Sequence, residues 1–420
     1  MKRNHVANWV AIFFGYLSCA VWADQYHNVN QIIGNRAQGM GGAYTAVSDD
    51  PAGLYYNPAG IVYASSNNLS ASVNTLQTNG ITYDDVLVGQ HDWQRNSLQL
   101  LPNFFGVVQP FGDFKVGISS STPDSVKENQ DQEFNDLNTS IDRFVINLNH
   151  TDITYNFGPS IAYEVNSSLS VGLSMAYHYR SSELNQNQYI RFAAGNPDNL
   201  GINWSNSYEQ TTEHGIRPKL GLMWSPLDKI SMGLALDQTY ILSATRIIQL
   251  ANCTTTTTGA DCDGSKVVPE IEETDDKRNY PIQVRWGLGY FASNALLVTA
   301  DVIYNTGTDE SGSYRSKEAT IDGAMGFEYY LSPSLALRSG FYTRQSNTPE
   351  LELGTALQEP SVNLWGVSGS VTRFNRDSSL SVGFTYSTGT GKSDMFGDGG
   401  VLTDTTVTDF SLYLSTSYSY

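Results

Sequence analysis

Beyond Asn68 the chain repeats one arrangement: a stretch of roughly ten residues with apolar side chains at every second position, then a tight turn or a long polar loop. Leu169, Val171, Leu173, Met175, Tyr177 and Tyr179 fill one face of such a stretch, opposite Ser170, Gly172, Ser174, Ala176 and His178. Ile282, Val284, Trp286, Leu288 and Tyr290 stand against Gln283, Arg285, Gly287 and Gly289 in the same way. A period of two is the mark of a strand whose faces meet different surroundings. The pattern predicts strands near 68–77, 97–108, 114–122, 152–165, 169–181, 215–224, 230–243, 281–291, 295–305, 320–331, 335–345, 361–374, 379–388 and 406–420.

Connection lengths sort by parity. Short turns alternate with long stretches at 123–150, 182–212, 244–280, 306–319, 346–360 and 389–405. A soluble sandwich has no reason to sort its loops this way. An outer-membrane barrel does, with tight periplasmic turns and long external loops. The expectation is all-β: a fourteen-stranded antiparallel transmembrane β-barrel, with the closing strand presenting Phe410, Leu412, Leu414, Tyr418 and Tyr420 outward. Closure is required because backbone donors exposed to hydrocarbon cost several kcal/mol each. Strand charges such as Glu164, Arg217, Lys219, Asp237, Asp301, Asp322 and Glu328 fall on the other face, so the lumen is polar.

Composition adds a compartment and removes a partner. The 420 residues carry a net charge of −18 with only 16% charged residues, and no basic stretch beyond the first few residues suits nucleic acid. Lys2 and Arg3 before an apolar run to Ala23 read as a signal peptide, residues 1–23. Cys253 and Cys262 then remain, close together in an apparent loop of an exported protein, and read as a disulfide. Metal binding is the sharper alternative, poorly supported by two thiols without a nearby histidine. No cofactor is expected.

Residues 24–66 depart from the alternation and lead into the barrel at 67–420. Gly34-Asn35-Arg36-Ala37-Gln38-Gly39-Met40-Gly41-Gly42 runs through Asp49-Asp50 to Tyr56-Asn57-Pro58-Ala59-Gly60. Here the chain resembles the outer-membrane long-chain fatty acid transporter family, also called the outer-membrane protein P1 type. The resemblance implies an N-terminal plug inside the lumen, with Asn57, Pro58 and Ala59 in a structural or gating role. It also implies passive uptake of hydrophobic compounds such as long-chain fatty acids: capture among external loops, an internal pocket, and lateral release at a kinked third strand. Gly117, Ser119 and Ser120, with Pro123 behind them, are the residues expected to support that gap, since Gly and Pro weaken ladder pairing.

A carboxylate cargo would call for an inward cation, for which Arg285 and Arg338 are the candidates; the alternative is that they pair with Asp237, Asp301 or Glu328. An outer-membrane lipase needs serine and histidine together on the lipid side. The strands as predicted put no histidine there: His178 points inward and His214 sits at a strand edge. The rival to transport is a surface scaffold, adhesin or secretion-associated barrel, suggested by acidic loops that divalent cations would bridge to lipopolysaccharide. The expected partners are a hydrophobic small molecule or fatty acid and outer-membrane lipid, and the expected state is a monomer.

Overall fold

A computed structural model describes residues 26–28, 30–65, 67–87, 91–135, 141–196, 199–257, 270–355, 358–394 and 402–419. The expected signal peptide lies outside them. They form one antiparallel sheet closed on itself. The first six strands are β1 (Asn68–Leu87), β2 (His91–Phe111), β3 (Phe114–Asn135), β4 (Ile141–Asn166), β5 (Leu169–Phe192) and β6 (Leu200–Leu227). β7 is in two pieces, Ile230–Asp237 and Tyr240–Thr256, as is β8, Glu270–Thr274 and Gln283–Ser293. There follow β9 (Leu296–Asn305), β10 (Thr320–Ser332), β11 (Leu335–Arg344), β12 (Ser361–Val362 and Leu364–Phe374), β13 (Ser378–Ser393) and β14 (Thr403–Ser419). The fourteen strands make a closed barrel, with β1 paired to β14 from Asn68↔Ser419 to Tyr83↔Thr405. That pairing leaves no sheet edge facing lipid.

The alternation is a true sidedness. Val171, Leu173, Met175 and Tyr177 are exposed outward, while Ser170, Ser174 and His178 are buried inward. On the closing strand Leu412, Leu414 and Tyr418 are exposed; Tyr420 lies outside the described residues. Among the described residues no helix is long and apolar enough to cross a membrane.

The strands run further than the alternation predicts. Much of 123–150 and 182–212, expected as loop, is the upper part of β3 to β6, and β7 likewise continues to Thr256. Neighbouring strands supply the ladder: Asn129 pairs with Asn149, Asn149 with Asn185, and Asn185 with Tyr208. Above the apolar belt the outward positions are polar too, so the contrast between faces fades while the hydrogen bonding does not. The longer β6 also moves His214 from a strand edge to mid-strand. It faces outward beside Tyr179, and its Nδ1 lies 2.5 Å from the Tyr177 hydroxyl.

The segment before β1 folds inside the cylinder. It contains α1 (Asn35–Gly39), α2 (Gly53–Tyr56) and a 3-10 helix (Pro58–Tyr63). Ile33, Met40, Tyr44 and Tyr56 are buried in a cluster completed by Phe104 and Leu297 of the wall. Gly34 and Gly41 have φ of 82° and 66°, a left-handed backbone that favours glycine, and a Cβ on Gly41 would press on the Phe341 backbone at 3.1 Å.

Candidate functional site: plug, seam and cavity

The plug is fastened by polar groups of the lumen face. Asn57 is fully buried: its Oδ1 accepts from the Ala59 amide at 3.1 Å and caps the 3-10 helix. Its Nδ2 donates to Thr45 O at 2.9 Å and to Leu222 O of β6 at 3.0 Å. Pro58 and Ala59 lie against Gly172 and Gly221, where any Cβ would collide with the plug backbone or with Asn57. Asp301 of β9 accepts from the Tyr44 and Thr45 amides at 3.1 and 2.9 Å and from the Thr45 hydroxyl at 2.6 Å. Glu328 of β10 is buried between two guanidiniums, Arg36 of the plug at 2.5 Å and Arg338 of β11 at 2.7 Å. Arg36 also holds Asp49 at 2.6 Å. Beside it Asp50 caps the Ala52 amide at 2.7 Å, and burial, reinforced by the charge of Asp49, pushes its pKa up to about 6.

Arg285 and Arg338 belong to this fastening. Arg338 is spent on Glu328, and the Arg285 guanidinium lies 5.4 Å from the Tyr56 ring centroid with its Nε donating to Gln283 at 2.9 Å. Neither lines the cavity described below.

The wall is weakened between β2 and β3. β2 and β3 pair from Phe111↔Phe114 to Phe104↔Ser121, then only at Ser97↔Glu128. The register is the same on both sides of the break, and carrying it through sets Pro102 opposite Pro123. Proline has no N–H to donate, so at that level the ladder cannot close from either strand. β3 also slips by one residue against β4 between Ser121 and Asp124, and β2 is irregular against β1 near Val73. Side chains bridge the break instead: Thr122 Oγ1 donates to Pro102 O, Ser125 Oγ to Gln99 Oε1 and Gln99 Nε2 to Ser125 O, each at 2.9 Å. Leu98 and Leu100 stand exposed beside it. Gly117, Ser119 and Ser120 lie below the break, paired to both β2 and β4, and Gly117 makes room for Leu54 of the plug.

Behind the seam the lumen is open. A cavity of about 140 Å3 reaches Pro123 and Asp124 of β3, and a smaller one of about 40 Å3 reaches Asp124, Ser125 and Val126. Asn30 and Asp124 border both. Across the lumen Arg278 and Tyr280, from the stretch between the two pieces of β8, close on Glu213, which Arg180 also holds at 2.7 Å. Sequence reasoning missed Pro102, Arg278 and Tyr280. Among the described residues no group of His, Cys, Asp and Glu is placed to hold a metal. Cys253 is buried near the upper end of β7, and Cys262 lies outside the described residues.

A closed barrel with an apolar belt, a lumen filled below by its own N-terminal segment and a broken β2–β3 ladder defines a plugged outer-membrane channel. The family model described as outer membrane protein transport protein (OMPP1/FadL/TodX) matches residues 18–396, and the chain belongs to this family. Solved structures similar in fold include the toluene transporter TodX of P. putida, at 15% identity and TM-score 0.64 over 93% of this chain and 99% of that one. A FadL homologue from Pseudomonas aeruginosa has 14% identity and TM-score 0.65 over 94% and 99%. The Ralstonia pickettii toluene transporter TbuX has 16% identity and TM-score 0.61 over 92% and 98%. No curated protein matches the chain in sequence.

Proposed function

We propose that the protein carries hydrophobic compounds passively across the outer membrane and releases them sideways through the β2–β3 seam. The observation that carries this is the break in the β2–β3 ladder at Pro102 and Pro123, beside a lumen cavity lined by Pro123 and Asp124 and above a firmly anchored plug. Water in the lumen would oppose a hydrophobic solute passing straight down, whereas a lateral route leads it into lipid. The toluene named for TodX and TbuX makes a small hydrophobic cargo the natural first probe. Asn57, Pro58 and Ala59 act in this reading as the fixed floor of the route. Export by cleavage after Ala23, a Cys253–Cys262 bridge, a monomeric state and lipopolysaccharide around the tall β3–β6 wall complete it.

The test is uptake of labelled toluene by cells with and without the protein, and with Pro102→Val combined with Pro123→Thr. Restoring two amide donors should rebuild the ladder and lower uptake several-fold. Uptake equal in all three strains would contradict the reading, and the scaffold role would then be the better account.

A further inference from the structure

The chemistry of the cavity narrows the cargo, given the uptake reading above. Among the described residues that line it there is no Val, Leu, Ile, Met, Phe or Trp side chain; the apolar residue types present are Tyr55, Tyr280, Tyr314 and two prolines. An acyl chain gains free energy only where its methylenes meet apolar surface. The amides, hydroxyls and charges around it would lose water to an acyl chain and gain no hydrogen bond from it.

Two buried atoms on the rim point to what does fit. Thr154 Oγ1 of β4 and Asn347 Oδ1, from the segment after β11, are both in the cavity lining, and neither has a hydrogen-bond partner among the described residues. Thr154 is 4% exposed and Asn347 3%. Buried polar atoms are normally satisfied, so such a pair calls for a ligand with hydroxyl chemistry: one that donates to the Asn347 carbonyl and accepts from the Thr154 hydroxyl. Three of the cavity's Arg and Lys residues are matched by carboxylates, Arg217 by Asp237 at 2.6 Å, Arg278 by Glu213 at 3.3 Å and Lys317 by Glu359, which favours a neutral molecule over a carboxylate. Tyrosine edges and faces suit a flat ring. A route that ends in lipid favours a ring that partitions into membranes, which separates phenols from sugars.

We infer that this cavity binds small hydroxylated aromatic compounds, the phenol and catechol class, in preference to acyl chains and unsubstituted hydrocarbons. Equilibrium dialysis of the full-length protein in detergent against labelled catechol tests it, with toluene, oleate and glucose as competitors. Catechol should bind and unlabelled phenol displace it, while the other three compete at least tenfold less well. Thr154→Val and Asn347→Leu should each weaken catechol binding about tenfold, the scale of one hydrogen bond lost in a buried site, and Thr154→Ser should retain it. Heat-modifiable migration on electrophoresis checks that each variant is still a barrel. Stronger displacement by oleate, toluene or glucose would overturn the inference, as would binding unchanged in both variants. Dialysis needs no membrane, so the two readings fail separately. Catechol binding without uptake of any compound sinks only the uptake reading; toluene uptake without catechol binding sinks only this one.

Discussion

The lower and upper halves of the lumen are built on opposite terms. Below, buried polar pairs fasten the plug to the wall: Glu328 holds two guanidiniums, Asp301 takes three donors from Tyr44 and Thr45, and Asn57 ties the 3-10 helix to β6. Above, the β2–β3 ladder is interrupted, side chains stand in for backbone pairing, and Thr154 and Asn347, which line a cavity, each keep an unpartnered buried atom. The difference teaches where motion is affordable. Opening the floor breaks buried charge pairs, which typically costs about 3–5 kcal/mol for one orphaned partner. Opening the seam breaks a few hydrogen bonds worth about 1 kcal/mol each.

The comparison can be broken most forcefully at Glu328. Glu328→Leu leaves Arg338 buried without its carboxylate and Arg36 with Asp49 alone. The plug should loosen by about 3–5 kcal/mol, read as a rise in ion conductance in planar bilayers and as protease cleavage between residues 30 and 60. A silent, protease-resistant variant would mean that packing alone holds the floor. Asn57→Ala removes the cap and both ties to Thr45 and Leu222, an effect of roughly 1–3 kcal/mol with a smaller conductance increase.

The smallest effect is expected at Asp50, whose carboxyl is raised from 3.8 to about 6. A carboxyl that binds its proton more tightly folded than unfolded favours the plugged state most at low pH. That contribution fades as pH climbs from about 4 to 6. Asp50→Asn should leave protease resistance of the plug flat across that window, where the native chain loses some of it. Equal pH profiles would remove Asp50 from the account.

How much of this was legible in the sequence depended on contrast between environments. Leu169 to Tyr179 alternate because one face meets lipid and the other packs polar groups against the plug, so the strands and their order could be read. Asn185 to Gln188 meet water on one side and a polar lumen on the other, so their strand left no periodic trace. The seam was half legible. Pro123 marked the third strand, but Gly117, Ser119 and Ser120 are paired on both sides, and the break lies just beyond them. Counting back from the tight turn at Gly112 and Asp113 would have set Pro102 against Pro123. Arg278, Tyr280 and Asn347 reach the cavity from irregular segments, whose inward course no pattern announces. Arg338 and Arg285 divide the same way: the pairing of Arg338 with Glu328 was among the sequence's alternatives, whereas the place of Arg285 beside the Tyr56 ring and Gln283 left no signal.

The account turns on whether the β2–β3 seam is the door. Gln99→Cys with Ser125→Cys puts thiols on the two positions whose side chains meet across the break, and a short, reducible bis-methanethiosulfonate linker should lock them. Toluene uptake by cells carrying this pair should fall to the level of cells lacking the protein and return on reduction. Full uptake with the crosslink verified as formed would show that cargo leaves by another way.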